Sequence, residues 1–327
     1  MKIRKLSELK IIYTPMNNKE NHSTSYKRFF IKLIVFAAML IMLFFCIFPQ
    51  YEGTLTGSLM SKVQRLKEID EPKIVLIGNS NLLYGIDSSM LEAEYNMPVV
   101  NMGLHGGLGN LFHERMMGLN VHEGDIYIVC HTTYWDLNEL TDPVLTWVTV
   151  EEHPALWKLI EPSDLSAMYK AFPTYIKHGI THYNNGEDLH EDTISNINTY
   201  GDFNTYRPNG EFSSDEFIYA SPINDEQVER LNDWNEYLAA HGATLLVAGY
   251  PILDYENTDD YSTFAQFEDE LSDRLECPCI SHYEDYLFSP NYFSDYYLHL
   301  TTDGAKKRTA QLITDINNWQ STQNNKP

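Results

Sequence analysis

At 327 residues the chain can hold one large domain or two small ones, and an apolar content of 43% supplies a sizeable core, which excludes global disorder. The formal charge of −23 is unevenly spread: residues 1–32 hold eight Lys/Arg against two acids, leaving −29 for the remainder. A body this acidic repels phosphate backbones, which argues against nucleic acid as a partner.

In chain order, residues 1–28 read as a basic tail and residues 29–49 as a nearly unbroken apolar run interrupted only by Lys32. As a helix that run is ~30 Å long, the hydrocarbon thickness of a bilayer, and Lys32 can snorkel. The long polar lead and the lack of a small-x-small cleavage site point to an uncleaved anchor rather than a signal peptide. The positive-inside bias keeps the N-terminus cytoplasmic and sends the C-terminal body across the cell membrane, making a single-pass protein whose first partner is the lipid bilayer. Residues 50–70 are expected as a juxtamembrane linker or helix before a domain spanning 71–322. Cys46 falls in the apolar run, and Cys277-Pro278-Cys279 is too tight for a relaxed bridge. Cys130, Cys277 and Cys279 are therefore expected buried and reduced, a link from Cys130 to either of the others being the alternative. They offer too few ligands at suitable spacing for a metal.

Lys73–Gly78, Pro98–Asn101, Asp125–Cys130 and Ala243–Gly249 are short apolar runs ending in turn residues, the pattern of strands buried on both faces of a parallel sheet. A fifth, shorter strand is expected near Pro278–Tyr283. Residues 226–240 and 305–319 carry apolar stripes at helical spacing. The alternation predicts an α/β layer structure with a mainly parallel sheet. From about 132 to 224 the rhythm stops, and this stretch reads as an insertion over one end of the sheet with a helical pair inside 153–180. His178 and His182 have i, i+4 spacing within it, but Gly179 intervenes and no acidic third ligand is evident, so no metal is expected.

Ser80 follows the first strand, at the sheet end where open parallel folds bind ligands. Asp295 precedes His299 by four residues just before the last helix. Acyl transfer by a serine needs a neutral imidazole to accept the hydroxyl proton and a carboxylate to orient that imidazole, and these three residues supply one of each.

Taken together, Ile77-Gly78-Asn79-Ser80-Asn81 with Gly85-Ile86-Asp87-Ser88, Val99-Val100-Asn101-Met102-Gly103-Leu104-His105-Gly106-Gly107-Leu108-Gly109, and Asp295 through Gly304 resemble the blocks of SGNH/GDSL-like serine hydrolases. The likeness is to their membrane-anchored branch, related to proteins that acylate or deacylate cell-surface polysaccharides. It covers about residues 70–320 but is specific only at the two ends, the middle matching at Asn198–Asp202 alone. It implies a flavodoxin-like three-layer sandwich, Ser80 as nucleophile, His299 as base, Asp295 as orienting acid, no cofactor, and an acylated carbohydrate substrate, with other envelope-assembly proteins as a further partner class. The amides of Ser80 and of Gly103 or a neighbouring glycine such as Gly107 are expected to form an oxyanion hole, with Asn101 as side-chain donor. Asn81 and His105 are expected to border the pocket. The third block departs from the pattern: His131-Thr132-Thr133-Tyr134 stands where the family carries Gly-x-Asn-Asp, leaving one oxyanion donor unassigned. Hydrolysis and transfer share one acyl-serine, and a non-catalytic module binding glycan or protein is the rival reading.

Overall fold

The computed structural model describes residues 19–47, 51, 53–151, 153–185, 194–208 and 217–324, with side chains given only for 26–42 of the first helix and not for 182–185. The chain divides into two units, residues 1–48 and 49–327.

The first unit is helix α1 (Lys19–Ile47), whose apolar side chains such as Phe29, Ile34 and Met42 are exposed. Among the described residues no helix is long and apolar enough to cross a membrane. The end of the expected 29–49 segment lies outside the described residues.

In the second unit α2 (Leu59–Glu68) is followed by β1 (Ile74–Gly78), α3 (Ser80–Gly85), α4 (Ser88–Tyr95), β2 (Val99–Asn101), α5 (Gly109–Arg115) and β3 (Ile126–Cys130). Next come α6 (Pro143–Val150), α7 (Leu165–Asn185), α8 (Asp225–Ala240), β4 (Thr244–Val247), β5 (Ile252–Leu253), α9 (Tyr261–Arg274), β6 (Leu287–Phe288) and α10 (Thr302–Asn324). The four strands expected from the apolar runs form one parallel sheet in the order β2-β1-β3-β4. The fifth position is held by a single bridge, Val247 to Cys279, with Ile280 N–H donating to the Val247 carbonyl at 2.9 Å. β5 and β6, which periodicity does not reveal, make a separate two-stranded parallel pair.

Side chains alternate across the sheet, and both faces are covered, giving three layers of a mainly parallel α/β structure. Val75, Ile77, Val100, Tyr127, Val129 and Leu245 face a cluster built with α2, α5 and α8. Ile74, Leu76, Val99, Ile128 and Leu246 face Leu91 of α4 with Leu312 and Ile316 of α10. Burying a large aliphatic side chain is worth roughly 2 kcal/mol, so the strands are held mainly by these two faces.

Of the two readings of residues 50–70, the helix holds: α2 packs Leu59, Val63 and Leu66 against the sheet, and Tyr51 is buried ahead of it. Two expectations need correction. The insertion does not hold a helical pair inside 153–180; among its described residues it holds α6, three short 3₁₀ segments and the single long α7, in which Pro173 is tolerated. The fifth strand is reduced to one bridge. Cys130, Cys277 and Cys279 are free thiols, and burial pushes all three up from the usual thiol range.

Candidate active site

Gly78 ends β1 where the chain has no room for a side chain: a Cβ there would lie 2.9 Å from the Cys130 carbonyl oxygen. Asn79 then caps α3, its Oδ1 accepting from the Asn81 N–H at 2.9 Å and the Asn81 side-chain amide at 2.7 Å. Its own amide donates to Thr132 Oγ1 at 2.9 Å. The two asparagines therefore build the turn that holds Ser80 at the first position of a helix, where its hydroxyl points into a cleft and its N–H has no helical acceptor.

His299 arrives from the opposite end of the chain. Its Nε2 lies 3.1 Å from Ser80 Oγ and its Nδ1 3.2 Å from Asp295 Oδ1. The backbone locks that loop: Ser294 N–H donates to the His299 carbonyl at 2.9 Å, and His299 N–H to the Tyr296 carbonyl at 3.0 Å. The His299 side chain is 17% exposed, whereas Asp295 faces solvent. The hydrogen bond to His299, with the nearby Arg207 guanidinium adding a smaller pull, holds the Asp295 carboxyl below the usual carboxylate range.

Arg207 is a residue that the motifs do not reveal. Buried, it donates to the carbonyls of Leu300 at 2.7 Å, Phe203 at 2.9 Å and Tyr84, so it ties the histidine loop to the helix that carries Ser80. Arg308 of α10 is a second such brace, donating to the Asn81 carbonyl at 2.7 Å.

The expected donors Asn101, Gly103 and Gly107 are engaged within the fold. Asn101 is fully buried, and its amide is committed to the Leu82 carbonyl at 2.9 Å and Asp202 Oδ1 at 2.8 Å. Gly103 N–H donates to Asn101 Oδ1 at 2.8 Å, and Gly107 N–H to His105 Nδ1 at 3.0 Å. Asn81 is buried and serves the turn, bonding also to the Cys130 carbonyl at 3.0 Å. Asn101, Gly103 and Asn81 therefore do not border the cleft; His105 and Gly107 do. Gly106, first in its 3₁₀ turn, also borders the cleft, and an added Cβ there would stand 3.7 Å from that of Asn79, so its N–H is a candidate donor beside Ser80. Glycine is needed at Gly103 for a different reason: a Cβ there would meet the Leu83 nitrogen at 2.7 Å.

Beneath this loop Lys62 of α2 is buried, with Nζ donating to the carbonyls of Asn101 (3.0 Å), Gly103 (2.7 Å) and Gly201 (2.8 Å). Desolvation lowers its pKa to about 7, against the pull of nearby Asp202. Asp202 also accepts from Ser88 Oγ at 2.6 Å, which gives the Asn198–Asp202 and Gly85–Ser88 stretches a shared structural role.

His131 and Tyr134, at the end of β3, are core residues: His131 Nε2 is 3.1 Å from buried Glu114. His178 borders the cleft, while the side chain of His182 lies outside the described residues. The cleft has a volume of about 890 Å³ and contains Ser80, His299 and Asp295 together. No protein-family model matches this chain, and no curated protein matches it.

Proposed function

We propose that the chain is a membrane-anchored, extracytoplasmic esterase or O-acyltransferase of the SGNH type, acting on acyl groups of a cell-surface polysaccharide through an acyl-Ser80 intermediate. The observation that carries this reading is the continuous hydrogen-bonded chain from Asp295 through His299 to Ser80, assembled across 219 residues of sequence. A flavodoxin-like core is supported by the strand order β2-β1-β3-β4 with Cys279 bridged at the fifth position, and Ser80 lies at the carboxyl end of β1, as ligand sites do in such sheets.

In this reading His299 Nε2 accepts the Ser80 proton as Oγ attacks the acyl carbonyl carbon. The oxyanion takes hydrogen bonds from the N–H groups of Ser80 and Gly106. The tetrahedral species collapses as the ester oxygen leaves with the proton from His299. Water or an acceptor hydroxyl then gives its proton to His299 and attacks the acyl-serine, regenerating Oγ–H; water yields hydrolysis and a sugar hydroxyl yields transfer. Asp295 keeps the imidazole oriented throughout.

The rival, a non-catalytic module for glycan or partner proteins, is favoured by one observation: the expected donors Asn101 and Gly103 are committed inside the fold. Reaction of the purified chain with a fluorophosphonate and with a nitrophenyl ester separates the two. Ser80→Ala and His299→Ala are expected to bring ester turnover to background, and Asp295→Asn to lower it by roughly 10⁴-fold. Wild-type protein that neither labels nor turns over, or Ser80→Ala with full activity, leaves the binding module in its place.

A further inference from the structure

Serine, histidine and aspartate occupy one part of the 890 Å³ cleft, and its remaining walls differ in chemistry. Beside His299 the wall is aromatic: the Tyr84 ring lies against the imidazole with centroids 4.2 Å apart, and Tyr296 stands edge-on at 5.2 Å. Over the Gly106–Leu108 turn the wall that α6 supplies is mainly aliphatic, with Asp142 at its N-terminal end and His178 of α7 also lining the cleft. Helix α6 contributes Val144, Leu145 and Val148, and Leu55 adjoins them from the segment that packs on α6. Leu145 reaches the loop itself, since a Cβ on Gly107 would meet its Cδ2 at 3.1 Å.

The placement of α6 is specific. Asp142 caps it, its Oδ1 accepting from the N–H groups of Val144 at 2.9 Å and Leu145 at 3.0 Å. Pro143 occupies the first turn, and Trp147 stacks on Tyr175 of α7 at 5.5 Å. Trp147 thus anchors the helix from behind, while Val144 and Leu145 remain half-buried, offering apolar surface that a ligand can cover.

Resting on the acyl-serine reading above, the reaction geometry assigns the two walls. His299 must protonate the leaving oxygen, so the alcohol part of the ester lies on the side of His299, Tyr84 and Tyr296. The carbonyl oxygen points to the Ser80 and Gly106 N–H groups. The remaining substituent of the acyl carbon is its chain, and the direction left to it runs along α6. We infer that the α6 wall is an acyl-chain subsite and that the group handled is a linear chain of butanoyl to octanoyl length rather than acetyl. From Val144 to Val148 the helix rises about 6 Å, roughly the reach of a hexanoyl tail.

The test is release of nitrophenol from nitrophenyl acetate, butanoate and hexanoate by the purified full-length chain. Both hydrolysis and transfer begin with this acylation. Each buried methylene is expected to raise kcat/KM by roughly fourfold, so hexanoate exceeds acetate on the order of 10²-fold. Leu145→Trp, which fills the subsite, is expected to lower the hexanoate-to-acetate ratio by at least about tenfold, and Leu145→Ala by a smaller factor through lost contact. Acetate as the fastest ester in the wild type, or an unchanged ratio in a folded Leu145 variant, overturns the subsite and leaves the hydrolase reading standing. No nitrophenol from any ester together with no fluorophosphonate labelling overturns both.

Discussion

At the scale of single residues, the division of labour between His299 and Asp295 is set by their surroundings. Asp295 is held below the usual carboxylate range, first by its hydrogen bond to His299 and then by other contacts including Arg207. The folded state therefore binds its proton less readily than the unfolded chain. The stability it contributes is present above the unfolded carboxylate range and is lost only as pH falls through the lower folded value. In the proposed reaction Asp295 accordingly stays ionised through the ordinary carboxylate range, and the group that takes the serine proton has to be unprotonated. The acid limb of kcat/KM against pH is expected to follow one proton. A limb with the slope of two protons would mean that Asp295 titrates in the same window and that its contact with His299 does not hold in solution.

At the scale of elements, α2 and the loop after β2 behave as one piece. Lys62 supplies three donors to three carbonyls, and Met in its place keeps most of the volume while leaving those acceptors and Asp202 buried without their cation. Lys62→Met is expected to cost about 3–5 kcal/mol and to lower Tm on the order of 10 °C in a thermal melt. A shift under about 2 °C would show that water replaces the ammonium at low cost. The same two elements show what the sequence does and does not reveal. Strands β1 to β4 were legible because burial on both faces forces continuous apolar runs. The meeting of Ser80, Asp295 and His299 was legible because a serine at a strand end and an acid four residues before a histidine at a helix entry are visible in the sequence. Asn101 was misassigned because a side-chain amide after a strand reads the same whether it faces a ligand or the interior. Arg207 carried no signal. Lys62 and Arg308 did carry one: each falls on the apolar stripe of its helix, beside Leu59, Val63 and Leu66 in one case and Ala305, Leu312 and Ile316 in the other. A cation in such a stripe has to find buried acceptors, and both find backbone carbonyls.

At the scale of the whole molecule, the uneven charge bears on topology. In the membrane-anchored reading proposed above, the Lys/Arg excess before residue 33 favours a cytoplasmic N-terminus with the C-terminal end on the far side. A reporter enzyme active only outside the cytoplasm, fused after Pro327, is expected to be active; an inactive fusion of normal abundance would reverse the orientation. The order of the elements has a consequence for how the protein is made. Ser80 and His299 are 219 residues apart, and at ribosomal rates of about 5–20 residues per second the second follows the first by roughly 10–40 s. As Ile74, Leu76, Ile128 and Leu246 are added, the sheet face they form still lacks Leu312 and Ile316 of α10, an apolar surface that a growing chain has to keep from its neighbours. A growing chain shorter than 299 residues does not carry the serine and the imidazole together, so their pairing comes late in synthesis, just ahead of the segment that covers the sheet.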